Sequence, residues 1–121
     1  MAKFNIINKA EKVIDYTFII TDKCPRKTRI DVVPEMRKIA LAIIENIVTA
    51  NHYRPSENTT FENLRFQFQD NALIEIEKLD VISEVCMKRN YITQKQYEFL
   101  TKLTYELKDM IINWRNNIGV K

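Results

Sequence analysis

The sequence is poor in the residues that interrupt regular structure, since it has one glycine, Gly119, and three prolines. Tight hairpin turns require positive φ angles, which glycine adopts without steric cost. A chain with one glycine can form few such turns, so long helices joined by a few loops are favoured over a strand-rich fold. The same scarcity excludes a glycine-rich phosphate loop, a dinucleotide-binding fingerprint and a nucleophile elbow.

Histidine and cysteine are also scarce. His52 is the only histidine, so neither a multi-histidine metal site nor a histidine-paired nucleophile is predicted. Cys24 and Cys86 lack ligand spacing and are interpreted as unpaired thiols, with Cys86 on an apolar helix face. The pattern predicts no enzyme activity, no cofactor and no small-molecule substrate.

Long apolar runs are missing as well. No segment of about 18 apolar residues exists, so no membrane-spanning helix is predicted. The first residues are interrupted by charged and polar side chains and do not form the apolar run of a signal peptide. We therefore expect a cytoplasmic protein that has no membrane association.

The remaining composition is that of one globular unit. The chain has 121 residues, of which 45% are hydrophobic and 29% are charged. These proportions suffice for one core and a solvated surface, but the length is too small for two separate cores. A single domain is predicted over residues 1–121.

Four segments show apolar residues at alternating steps of three and four, which is the pattern of an amphipathic helix. Pro25 ends the first segment, Asp31 is a plausible N-cap for the second, and Thr93 with Gln96 forms a capping-box pattern before the fourth. The predicted helices cover residues 5–22, 32 to about 53, about 60 to 88, and 94 to about 118. Four amphipathic helices with short connections predict an all-α, antiparallel up-down four-helix bundle.

The apolar pattern also predicts which side chains enter the core. The third helix is the longest, and its predicted buried stripe consists of Leu64, Phe68, Ala72, Ile76, Leu79, Ile82 and Cys86. Apolar residues at the edges of the stripes are expected to stay exposed and to form subunit contacts. These are Ile7, Phe18, Ile44, Phe66 and Tyr105.

The charges are unevenly distributed, although the net charge is only +3. Six basic residues and two acidic residues lie between Lys23 and Lys38, and a second basic cluster surrounds the turn between the third and fourth helices. In an up-down bundle both clusters lie at the same end. They form either ordinary solvated surface or a phosphate-binding surface. The candidate partner-binding residues are Arg26, Lys27, Arg29, Arg37, Lys38, Lys88, Arg89 and Lys95.

Acidic residues are concentrated instead on the third helix, at Glu75, Glu77, Asp80 and Glu84. A carboxylate metal centre of a bundle needs Glu-x-x-His motifs on facing helices. No such motif occurs in the chain, so these residues are interpreted as a solvated helix face.

Several stretches resemble a family of small four-helix bundles. The arginine followed by small apolar residues from Met36 to Ile43 resembles that family's signature, which continues at Ile47 and Ala50. The family includes proteins encoded by intervening sequences of bacterial ribosomal RNA genes, and the accessory variability determinant (Avd) proteins of diversity-generating retroelements. The wider family often carries Asn-Ile-Ala-Glu-Gly at the end of the second helix, and residues 46–50 here depart from that sequence, which weighs against the intervening-sequence branch.

Three further stretches resemble the Avd branch. They are the proline-plus-basic loop at residues 24–29, the turn at residues 91–97, and the end of the last helix at residues 110–115. The resemblance implies a homopentamer that binds the reverse transcriptase and template RNA of the retroelement and supports mutagenic cDNA synthesis. The alternative that the residues leave open is a scaffold that acts through protein–protein contacts only.

Overall fold

A computed structural model describes residues 5–54 and 59–117 of the chain. Over these residues the chain forms four α-helices and one short 3₁₀ turn, and no strand. The helices are α1 (Asn5–Asp22), α2 (Val32–His52), α3 (Thr59–Lys88) and α4 (Gln94–Asn116), with the 3₁₀ turn at Arg26–Arg29. The predicted all-α fold is confirmed. Gly119, which was expected to follow the last helix, lies outside the described residues.

The helices pack around the bundle in the order of the chain. α1 packs against α2 and α4, and α3 packs against α2 and α4. The diagonal pairs α1–α3 and α2–α4 do not pack against each other within the described residues. This arrangement is the predicted antiparallel up-down four-helix bundle.

The buried residues of α1 and α2 follow the three- and four-residue steps of the amphipathic pattern that the sequence predicts. Ile43 and Ile47 of α2 and Val13 of α1 are completely buried. A local signal starts α2, because the side chain of Asp31 accepts a hydrogen bond from the backbone N–H of Val32. The predicted N-cap is therefore confirmed.

The predicted stripe of α3 is wrong at three positions. Leu64, Phe68 and Ile82 are only partly buried, whereas the polar residues Gln69 and Ser83 lie in the core. The buried positions of a packed helix follow a regular alternation of three and four residues, whichever side chains occupy them. That alternation turns Gln69 and Ser83 inward, and neither side chain has a hydrogen-bond partner among the described residues.

The turn between α3 and α4 has a defined geometry at both ends. Asn90 has a φ of 64°, and the next residue, Tyr91, donates its backbone N–H to the carbonyl of Cys86 at 2.8 Å. This is a Schellman ending, which requires a left-handed residue. Thr93 and Gln96 then form the predicted capping box at the start of α4. The turn is therefore held by local hydrogen bonds on both sides.

Asn90 is expected to contribute measurably to stability. Replacing it with alanine should lower the free energy of unfolding by about 1 kcal/mol, because a Cβ disfavours positive φ and alanine lacks the compensating polar side chain. The Asn90→Gly variant should have a free energy of unfolding equal to or higher than that of the parent protein, because glycine adopts positive φ without steric cost. Urea unfolding measures the difference. Equal unfolding midpoints for the alanine and glycine variants would contradict the assignment of Asn90 as the left-handed residue of the Schellman ending.

Candidate nucleic-acid interface

The 3₁₀ turn directs three basic side chains outward. Its single inward residue is Thr28, which is 2% exposed. The Thr28 N–H and hydroxyl both donate to the carbonyl of Pro25, at 2.9 and 2.6 Å. Because Thr28 is anchored, its neighbours Arg26, Lys27 and Arg29 all lie exposed on the surface. The sequence predicts a loop at these residues. The proline start and the Thr28 anchor make it a short helical turn instead.

The 3₁₀ turn and the α3–α4 turn meet at the ring of Tyr91. The Lys27 ammonium lies 5.6 Å from the ring centroid, and the Arg89 guanidinium lies 5.5 Å from it. Arg89 also donates from Nε to the Tyr91 hydroxyl at 3.0 Å. Two connections that are distant in sequence are thus joined through one aromatic side chain. Sequence reasoning placed both clusters at one end but did not identify Tyr91 as the link.

We call this surface the basic end and define it as Arg26, Lys27, Arg29, Lys88, Arg89 and Lys95. Lys88 pairs with Glu84 at 3.3 Å, an exposed pair of the kind that contributes little and is easily exchanged. Arg26, Arg29 and Lys95 form no ion pair with any residue of the described part of the chain. The basic end therefore presents several positive charges that are available to an anionic partner.

The structure places the other two candidate residues outside the basic end. Arg37 is partly buried between α1 and α2, where it donates to the Thr21 hydroxyl at 2.9 Å and to the Asp22 carboxylate at 2.6 Å. Its guanidinium also lies 4.8 Å from the centroid of the Phe18 ring. Lys38 is exposed and lies on the side of α2 that faces α3. The two neighbours are thus on different sides of the helix.

An apolar groove runs along the outside of α2 and α3. It contains two adjoining hollows of about 670 and 330 Å³, which share Glu35 and Ile82. Ile30, at one end of the groove, is 91% exposed. Ile74, Val81 and Val85 of α3 are each about half exposed along it. We call this surface the α2–α3 groove.

The sequence predicted different exposed apolar residues. Of the five that were expected to stay exposed, only Tyr105 does so, at 71%. Phe18 is partly buried beneath Arg37, and Phe66 beneath Arg115, whose guanidinium lies 5.0 Å from its ring centroid. Helical periodicity does not reveal that an arginine on a neighbouring helix will cover an aromatic ring.

The two cysteine thiols and the Asp80 carboxyl of the described residues lie in buried or partly buried surroundings. Both cysteines are buried thiols, and burial raises the pKa of the Cys86 thiol to about 11, with Cys24 adding to the rise. Burial also raises the pKa of Asp80, which accepts a hydrogen bond from Thr104 at 2.7 Å. No group of three or more potential metal ligands lies together in the described ranges, and no helix there is long and apolar enough to cross a membrane.

Comparison with known proteins adds evidence on the fold. No protein-family model and no curated protein matches the chain. A solved structure does match, with a TM-score of 0.77 and 15% sequence identity, covering 93% of this chain and 99% of the other. That structure is of a protein of unknown function from the S23 ribosomal protein family of Bacteroides thetaiotaomicron. At this identity the likeness establishes the small helical-bundle fold.

Proposed function

We propose that this chain is a non-enzymatic accessory protein of a diversity-generating retroelement, which binds the template RNA and the reverse transcriptase. The observation that carries the proposal is the basic end, where Tyr91 brings Lys27 and Arg89 onto one surface. The resemblance to Avd proteins is the reason for proposing a retroelement context and its reverse transcriptase as a partner. The structural neighbour carries the name of a ribosomal protein family, which fits an RNA partner for this chain.

The proposed mechanism is electrostatic. Lysine and arginine side chains that neutralise phosphates release the counterions condensed on the RNA, which drives association. A net charge of +3 on one chain is modest. Assembly into a homopentamer, which the resemblance implies, would gather five basic ends around one axis and strengthen attraction to the RNA backbone. Light scattering would then give a particle of five times the 14.4 kDa chain mass.

Binding to a structured RNA from the same locus should weaken steeply as salt increases. If the bound RNA makes about four phosphate contacts with the assembly in total, affinity should fall roughly 50- to 150-fold between 50 and 200 mM salt. Fluorescence anisotropy at several salt concentrations measures the slope, which counts the contacts. A slope near zero, or no binding at 50 mM salt, would contradict an RNA-binding role.

A second candidate is a scaffold that acts through protein contacts only. The α2–α3 groove favours it, because Ile30, Val81 and Val85 expose apolar area that a partner helix could cover. In that case the basic end would serve solubility. The chain could then equally be a protein of the intervening-sequence type that acts through protein contacts only. Two results together would select this candidate. RNA affinity would not change with salt concentration, and the purified reverse transcriptase would still bind the protein.

A further inference from the structure

A cleft of about 350 Å³ lies where α1 ends and α2 begins, beside the basic end. Four of its six lining residues are polar or charged, and they include two arginines and one carboxylate. The lining residues are Thr21, Asp22, Arg29, Val33, Pro34 and Arg37. The two arginines and the single carboxylate give the cleft a net charge of +1.

Arg37 is a fixed donor in this cleft. Its Nε is held by the Thr21 hydroxyl at 2.9 Å, and its flat face lies 4.8 Å from the Phe18 ring centroid. Thr21 is itself buried and bonded to the carbonyl of Thr17 at 2.7 Å. A guanidinium held this way loses little conformational freedom when it binds an anion, which favours specific recognition of an oxyanion.

Arg29 supplies a second donor that has no competing partner. It is exposed and forms no ion pair with any residue in the described ranges. The first turn of α2 also borders the cleft through Val33 and Pro34. The positive end of the α2 dipole adds to the attraction for an anion there.

Asp22 already occupies one edge of the Arg37 guanidinium. Its carboxylate accepts from Arg37 at 2.6 Å, yet its side chain is 73% exposed. Asp22 is also the last residue of α1, where the helix dipole disfavours negative charge. An ion pair whose carboxylate is exposed at such a place contributes little, and another anion can replace that carboxylate.

We propose that this cleft binds a phosphate group, whose oxygens accept from Arg29 and Arg37, and that Asp22 competes for the same position. The phosphate has two possible sources, inorganic phosphate or the phosphorylated end of an RNA. The second source rests on the proposed RNA function, whereas the first does not. The size of the cleft leaves room for a sugar attached to the phosphate.

The test is a titration of the ¹⁵N-labelled full chain with inorganic phosphate, observed at the arginine Nε resonances. Removing the competing charge with Asp22→Asn should tighten phosphate binding about tenfold, and Arg29→Gln should weaken it about tenfold. Lys12→Gln is the matched control, because it removes an exposed positive charge on α1 that lies outside both the cleft and the basic end. Arg37 is left unchanged because it also links α1 to α2.

Saturable shifts at Arg29 and Arg37 with this order of affinities would support the site. Equal dissociation constants for all variants, or shifts spread over the surface without saturation, would overturn it. The source is found by comparing a 5′-phosphorylated RNA oligonucleotide with its 5′-hydroxyl counterpart. If the parent protein prefers the 5′-phosphorylated oligonucleotide and the Arg29→Gln variant loses this preference, the ligand is the RNA end. If the parent protein shows no preference, the ligand is inorganic phosphate. Because the phosphate titration contains no RNA, its outcome is separate from that of the salt series.

Discussion

The double variant Lys27→Glu/Arg89→Glu is expected to bind structured RNA at least a hundredfold more weakly than the parent protein. Each reversal removes one of the proposed phosphate contacts and adds one repulsive charge beside Tyr91, where the two side chains lie 5.6 and 5.5 Å from the ring centroid. Anisotropy at 50 mM salt measures the loss. The salt slope should also become shallower by about two, because two phosphate contacts disappear.

A control variant separates a local effect from a change in net charge. Lys12→Glu/Arg54→Glu alters the net charge by the same amount, but Lys12 lies along α1 and Arg54 lies beyond the end of α2. Both residues are exposed. This control should lose only a few-fold in affinity, through the general field of the protein. Equal losses in the two double variants would mean that RNA does not select the basic end.

Replacing Gln69 with leucine is expected to raise the free energy of unfolding by about 2 kcal/mol. The Gln69 amide is 1% exposed, and neither its oxygen nor its nitrogen has a hydrogen-bond partner within the described residues. A buried polar group without a partner costs about 1–3 kcal/mol, and leucine removes that cost while filling a similar volume. Thermal and urea unfolding of the two proteins measure the change.

Gln67→Leu is the matched control, since Gln67 lies two positions earlier in α3 and is exposed. It should change stability by less than about 0.5 kcal/mol. A loss of stability in Gln69→Leu would show that the amide has a partner in solution. The small cavity that Gln69 lines with Trp114, of about 10 Å³, is just large enough for one water molecule.

Helix ends were predictable wherever a local signal marks them. Pro25 follows the end of α1, Asp31 caps α2, and Thr93 with Gln96 caps α4, and each of these signals acts within a few residues. The core of α3 was less predictable because burial there is decided by the regular geometry of a long helix. Gln69 and Ser83 lie inward although their chemistry favours the surface.

The candidate site was predictable in its location but not in its contacts. The up-down order of the helices was enough to place Arg26 and Arg89 at the same end. The approach of Lys27 to Tyr91 and the capture of Arg37 by Asp22 depend on how two separate segments meet in space. No pattern in one sequence encodes those distances.

The order of the helices around the bundle has a consequence for how the chain folds. Each helix packs against its neighbour in sequence, so three helical hairpins can form from local contacts, which favours fast folding. The seam between α1 and α4 is different, because it joins the two most distant helices. It is held by Lys9 to Glu106 at 2.8 Å and by Tyr16 against Phe99 at 4.7 Å. Closing this seam carries the largest loop entropy, so it is the natural place for the bundle to open first.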